Sequence, residues 1–152
     1  MQAEENALWS LDKKDGMEKA YCCFNSNARD FARFGQLILN KGSWNGKQLV
    51  SESYLKEATT PDSSLHDPKT DEPNRQYGFQ YWVLTYKGQD IPYMRGLYGQ
   101  YIFAIPDKNA VVVRLGNKQS KELVGSQNMT EDMLLWLDAA MDIIHNAESN
   151  TN

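Results

Sequence analysis

The sequence predicts an α+β fold in which an antiparallel β-sheet meander is flanked by helices. Three observations predict it. Phe31, Phe34, Leu37 and Ile38 recur at helical spacing, and four aromatic or β-branched stretches divided by turn residues fill positions 77–115. A broad apolar helical side then follows Thr130. The length of 152 residues and an apolar content of 41% suit one domain, or a large fragment of one, with a real core.

The first helix is predicted within 26–42, after a polar lead-in that ends near Ala20. Asn27 is a good N-cap with Asp30 three residues on, Lys41 suits the negative C-terminal end, and Gly42 can take the left-handed stop conformation. Its Phe stripe is expected to face a core. Asn45-Gly46 is a turn signal, and Ser51 caps a short helix that Pro61 terminates. Positions 61–76 hold three prolines and no periodicity, which predicts a long surface loop of the kind that often borders a site. Strands are expected over 77–86, 90–95, 100–105 and 110–115, and the short connections between them make an antiparallel meander. Thr130 caps the last helix, over 130–144, which carries Met133, Leu134, Trp136, Leu137, Ala140, Met141 and Ile144 and should lie across the sheet. Residues 148–152 are polar and are expected to form a disordered tail to a domain over 1–147.

Composition excludes several functions. The net charge is −4, and the basic residues are scattered without a run that could track phosphates, so no nucleic-acid partner is expected. No apolar stretch approaches the roughly 20 residues of a membrane helix. The acidic N-terminus lacks a secretory pattern, so the protein is cytoplasmic or its signal lies outside these residues, and an exported or periplasmic location stays open. Cys22 and Cys23 are adjacent and can bridge only with strained geometry, and with only His66 and His145 there is no zinc spacing. His66, Asp67, Asp71 and Glu72 read as a solvated loop, and no metal or cofactor is expected. The four tryptophans, spread over different elements, read as core residues with a satisfied polar edge.

Five blocks in fixed order carry a family resemblance. They are Asn27-Ala28-Arg29-Asp30-Phe31-Ala32-Arg33-Phe34-Gly35, Gly42-x-Trp44-x-Gly46-x-Gln48, Tyr77-Gly78-x-Gln80-x-Trp82, Gly96-Leu97-Tyr98-Gly99-Gln100-Tyr101-Ile102, and Pro106 followed by Val111-Val112-Val113-Arg114-Leu115-Gly116. Over roughly residues 7–145 the chain resembles the penicillin-recognising serine hydrolases, the superfamily of class C β-lactamases, D-alanyl-D-alanine peptidases and related esterases. The resemblance is to their C-terminal half only, a partial β-lactamase/transpeptidase-like fold. The Gly-x-x-Gly-Gln block looks closest to the 6-aminohexanoate-dimer hydrolase-like branch, where a His commonly stands in the place of Tyr98.

The resemblance implies an acyl-enzyme hydrolase acting on a small-molecule or peptide-like amide or ester. Such enzymes use Ser-x-x-Lys, Tyr-x-Asn or Tyr-x-Ser, and Lys-Thr-Gly or His-Thr-Gly motifs. Ser10-Leu11-Asp12-Lys13 and Ser53-Tyr54-Leu55-Lys56 fit the first by chance matching, and Ser53 reads as part of a solvated face, so neither is expected to be catalytic. Met94-Arg95-Gly96 takes the place of the third motif, and the N–H of Leu97 would serve an oxyanion hole. Met94, Arg95, Gly96, Tyr98 and Gln100 are then the substrate-binding candidates. Strand alternation puts Arg95 on the face opposite Met94 and Gly96, so it has either a substrate role or a structural ion pair. Tyr98 and Gln100 either line a pocket or serve cross-strand packing and solvent. On this reading the chain lacks the nucleophile, is inactive alone and self-associates. The alternative is a binding or scaffold domain that kept the fold without the chemistry.

Overall fold

Ten strands and three helices organise the computed structural model, which describes residues 1, 3–125 and 127–150. Strands β1 (Leu8–Trp9) and β2 (Phe24–Asn25) pair antiparallel and lead into α1 (Ala28–Leu39). Next come the hairpin of β3 (Ser43–Trp44) and β4 (Lys47–Gln48), then α2 (Glu52–Ala58). After the long loop follow β5 (Trp82–Tyr86), β6 (Gln89–Gly96), β7 (Gln100–Ile105), a 3-10 turn at Pro106–Lys108, and β8 (Ala110–Arg114). The chain ends with paired β9 (Leu123–Val124) and β10 (Met129–Thr130) and the helix α3 (Glu131–Ser149). The main sheet is an antiparallel meander in the order β5-β6-β7-β8, so the architecture is α+β as the sequence predicts.

Side-chain alternation gives the sheet two apolar faces. Leu84, Tyr86, Ile91, Tyr93, Tyr101, Phe103 and Ile105 form one cluster with Met133 and Leu137 of α3. Ile102 and Val111 point the other way, against α1. The contact there is close: a β-carbon on Gly35 would lie 2.5 Å from Val111 Cγ1, so glycine is what lets helix and sheet approach. Phe31 is half-buried and Phe34 is 36% exposed, both ring edges resting on Phe24. The expected Phe stripe thus meets a small aromatic cluster under β2 instead of the main core.

Asn27 caps α1 as expected, accepting the Asp30 N–H at 2.9 Å. Asp30 itself is buried and gathers donors: the Glu4 N–H at 2.9 Å, the Ser26 hydroxyl at 3.0 Å, Asn27 Nδ2 at 3.2 Å, the Glu5 N–H at 3.5 Å, and the Arg33 guanidinium. This carboxylate staples the N-terminal segment to the first turn of α1. Lys41 lies past the helix end and pairs with Glu52 at 2.9 Å.

Several element expectations need correction. The strand expected over 77–86 starts only at Trp82: the Gly78 N–H bonds the Tyr81 carbonyl, Gln80 has φ +64°, and the Phe79 N–H bonds the Ala58 carbonyl. This aromatic stretch turns back onto α2 instead of joining the ladder. Helix α3 runs to Ser149, past the expected end at Ile144, with Lys108 bound to Glu148 at 2.7 Å. Glu148 and Ser149 of the expected tail are therefore helical, and Thr151 and Asn152 lie outside the described residues. Thr130 holds the N-cap position, but its hydroxyl bonds Tyr101 Oη at 2.9 Å and makes no cap bond. Trp9 and Trp136 are each 46% exposed, against the expectation of core tryptophans. Cys22 and Cys23 are bonded to each other, in the turn that enters β2 with Cys23 at φ +72°.

Candidate functional site

All six residues singled out at the third motif fall on one hairpin, where β6 turns into β7. The ladder runs Met94 opposite Ile102, Arg95 opposite Tyr101 and Gly96 opposite Gln100, and there it stops. Leu97, Tyr98 and Gly99 form the tip. Leu97 is 76% and Tyr98 61% exposed, with Tyr98 at φ +61° and Gly99 at φ +82°. A tyrosine in the left-handed region is uncommon and costs about 1 kcal/mol or more, so the surrounding structure must impose the turn.

Among the described residues Arg95 makes no ion pair, one of the two roles foreseen for it. It lies 5.5 Å over the Trp82 ring and donates from Nη1 to the Asn128 carbonyl at 2.9 Å, which ties β6 to the segment before β10. Met94 shares a sheet face with Ile102, as alternation requires. Gln100 is half-buried, and its Nε2 donates to the Gly116 carbonyl at 2.6 Å. Burial holds the Tyr93 phenol above its usual range, with Arg95 acting in the opposite direction.

The two Ser-x-x-Lys matches lie at the surface. Ser10 and Ser53 are both exposed, and among the described residues the Ser53 hydroxyl donates to Ser51 Oγ alone, at 3.5 Å. An open cleft of 450 Å³ lies beside Ser53 and Lys56, walled by Glu57, Thr60, Pro61, Asp62, Ser63 and Phe79. Among the described residues no base is hydrogen-bonded to the Ser53 hydroxyl. His66 Nδ1 meets Asp71 in the loop, and among the described residues no group of three or more His, Cys, Asp or Glu is placed to hold a metal. No helix among the described residues is long and apolar enough to cross a membrane.

Sequence reasoning missed the groups that hold the hairpin in place. Arg114 donates to the Gly99 carbonyl and faces Asp132, and Tyr101 ties β7 to Thr130. A single Arg ending the run Val111-Val112-Val113 was the available signal, because a charge on a strand between two apolar faces requires a partner.

A family model described as Beta-lactamase matches residues 5–132. The chain is 23% identical over 150 residues to the 6-aminohexanoate-dimer hydrolase of Paenarthrobacter ureafaciens, covering 95% of this chain and 37% of that protein. A solved structure described as a putative 6-aminohexanoate-dimer hydrolase from Bacillus anthracis superposes with a TM-score of 0.70 at 28% identity, covering 97% of this chain and 35% of that one. The sequence had confined the resemblance to a C-terminal half. That limit is overturned, because the similarity runs over nearly the whole chain. The chain spans about a third of the length of these relatives. With the family model matching most of its residues and the meander in the order that the resemblance required, this chain belongs to the Beta-lactamase family.

Proposed function

We propose that this chain serves the hydrolysis of an amide or ester through an acyl-enzyme, with the β6–β7 hairpin as its contribution to the reaction. A serine oxygen adds to the substrate carbonyl, the amine or alcohol leaves with a proton, and water then releases the acid. As the carbonyl oxygen becomes an oxyanion it requires N–H donors aimed at it, and the N–H of Leu97 is the donor assigned here. The observation that carries this reading is the hairpin end itself: the ladder stops at the Gly96–Gln100 pair and leaves Leu97 and Tyr98 exposed on a fixed turn. Gly96 lets a substrate backbone approach the strand, and Met94 and Tyr98 flank it. Arg95 and Gln100, bonded to the Asn128 and Gly116 carbonyls, act by holding the hairpin. The name of the relatives points to a linear amide of an ω-amino acid as the substrate class. Neither Ser10 nor Ser53 is assigned as the nucleophile, since among the described residues neither hydroxyl is hydrogen-bonded to a base.

Titrating this chain with the 6-aminohexanoate dimer while recording amide resonances tests the assignment. Shifts are expected at Gly96, Leu97, Tyr98 and Gly99, and Leu97→Pro, which removes the donor, should weaken them. Shifts confined to the cleft beside Ser53, or none at millimolar dimer, would sink it. The chain is also expected to give no burst of p-nitrophenol from an activated acyl ester. A burst abolished by Ser10→Ala or Ser53→Ala would instead make one of those serines the nucleophile.

Self-association belongs to the same reading. The outer edge of β5 is covered in part, since the Val83 N–H bonds the Gln76 carbonyl and the Thr85 N–H bonds Gln127. Strand β8 is the other edge, its residues half-exposed, and Leu135, Trp136 and Ile143 of α3 are also open to solvent. At roughly 25 cal/mol per Å² of apolar surface, covering a few hundred Å² favours association by several kcal/mol before entropic costs. A dimer or larger species is expected in sedimentation at micromolar concentration, and a compact monomer of 17.4 kDa would count against it.

A further inference from the structure

We infer that Arg114 is a positioning residue, whose guanidinium sets the backbone of the Leu97-Tyr98-Gly99 turn and thereby the direction of the Leu97 N–H. This rests on the role proposed for the hairpin. Arg114 ends β8 on the α3 side of the sheet, where its guanidinium crosses above Tyr101, 5.7 Å from that ring, and stands 6.0 Å from the ring of Trp136. From that perch Nη1 donates to the Gly99 carbonyl at 2.8 Å and Nη2 to the Lys118 carbonyl at 3.2 Å. One planar group therefore holds the hairpin tip and the chain that follows β8 together, a geometry a point-charge ammonium cannot reproduce.

Two glycines make room for it. A β-carbon on Gly99 would overlap the guanidinium, and one on Gly116 would lie 2.8 Å from the Tyr98 carbonyl, 2.9 Å from the Gly99 carbonyl and 3.0 Å from Arg114 Nη1. The slot is thus shaped by the hairpin backbone on one side and the β8 exit on the other. Asp132, in the first turn of α3, faces the same group across 3.0 Å at an angle outside hydrogen-bond geometry, and Oδ2 has no other partner among the described residues. Burial works to raise the Asp132 carboxyl, but the Thr130 hydroxyl, the Ser120 N–H and Arg114 together hold it below the usual carboxylate range. Asp132 thereby orients the guanidinium, and Ser120 bonded to its Oδ1 at 3.1 Å fixes the carboxylate in turn. The chain of contacts runs from α3 through Asp132 and Arg114 to the Gly99 carbonyl, and it gives Tyr98 a reason to remain at positive φ.

Hydrogen exchange on the whole chain tests this, read at the amides of Gly96, Gln100 and Tyr101. In Arg114→Lys, exchange there is expected to rise about tenfold or more, as loss of a charge-assisted bond to a carbonyl gives, while amides of α1 and β5 keep their rates. In Arg114→Ala the same local loss is expected, and millimolar methylguanidinium should restore the protection, which it cannot do for a variant that has only lost packing. Should Arg114→Ala fail to fold, Arg114→Lys decides alone. Unchanged exchange at the three amides in Arg114→Lys overturns the inference, as does a folded Arg114→Ala that methylguanidinium leaves unprotected. Either result leaves the hydrolase reading standing, because binding of the aminohexanoate dimer at Leu97 tests that separately.

Discussion

Phe103→Ala is expected to remove about 3–5 kcal/mol of stability, the usual loss for truncating a fully buried phenylalanine. Phe103 sits at the centre of β7 with no exposed surface, its ring stacked on Tyr93 at 5.3 Å and tilted against Tyr101 at 5.8 Å. Its neighbours across the ladder are Tyr93 on β6 and Val112 on β8. The rings around it are held by the strands and by α3, so they cannot collapse far into the cavity, and the loss falls toward the upper part of that range. Against a typical total of roughly 5–15 kcal/mol, it would leave a large share of molecules unfolded under mild denaturant. Urea unfolding should show a lower midpoint with an unchanged slope. Phe34→Ala is the control: that ring is 36% exposed and belongs to the small cluster around Phe24, so its loss should be clearly smaller. Equal losses for the two would mean that the core does not lie between the meander and α3.

Where local rules decide, the sequence was legible. The bounds of β7, the start of α1 at Asn27 and the β6–β7 turn follow from β-branched or aromatic runs, a cap and paired glycines, all readable within a few residues. Gly96 and Gly99 marked the hairpin without any knowledge of its neighbours. The stretch 77–81 misled because Tyr77, Phe79 and Tyr81 have the composition of a strand, while the contact that turns it comes from the Ala58 carbonyl at the end of α2. Strands β1, β2, β9 and β10 are two residues each, too short for any period to show. At the site, which residues make the hairpin was legible and how they are held was not. Arg95 bonds a carbonyl 33 residues away, and Arg114 one 15 residues away. Such pairings depend on the sheet register, which local spacing does not encode.

Acid should release the N-terminal segment from α1 before the sheet unfolds. The group responsible is Asp30, whose carboxyl lies below its usual range foremost because it accepts the Glu4 N–H, then the Ser26 hydroxyl and the Glu5 N–H, with the Arg33 charge beside it and burial acting the other way. A carboxyl depressed in the folded state contributes stability that is fully present above its unfolded value, about 3.9, and is lost as the pH falls through its lower folded value. The contribution is therefore constant from neutral pH down to roughly 4 and disappears below it. Once protonated, the carboxyl accepts more weakly from its donors, and the Glu4 amide should then exchange like an unprotected peptide. Asp30→Asn should reproduce that state at neutral pH, because the amide carries no charge for Arg33 and offers one acceptor oxygen where the carboxylate offers two. The measurement is exchange at Glu4, Glu5 and Phe31 between pH 3 and pH 7, in the native chain and in Asp30→Asn. Protection at Glu4 that persists equally in the variant would show that the segment is held by the Phe24, Phe31 and Phe34 cluster, and that the carboxylate is not the staple. The expected pattern is instead local: Glu4 and Glu5 released, the Phe31 amide on its helical bond to the Asn27 carbonyl retained, and the meander untouched.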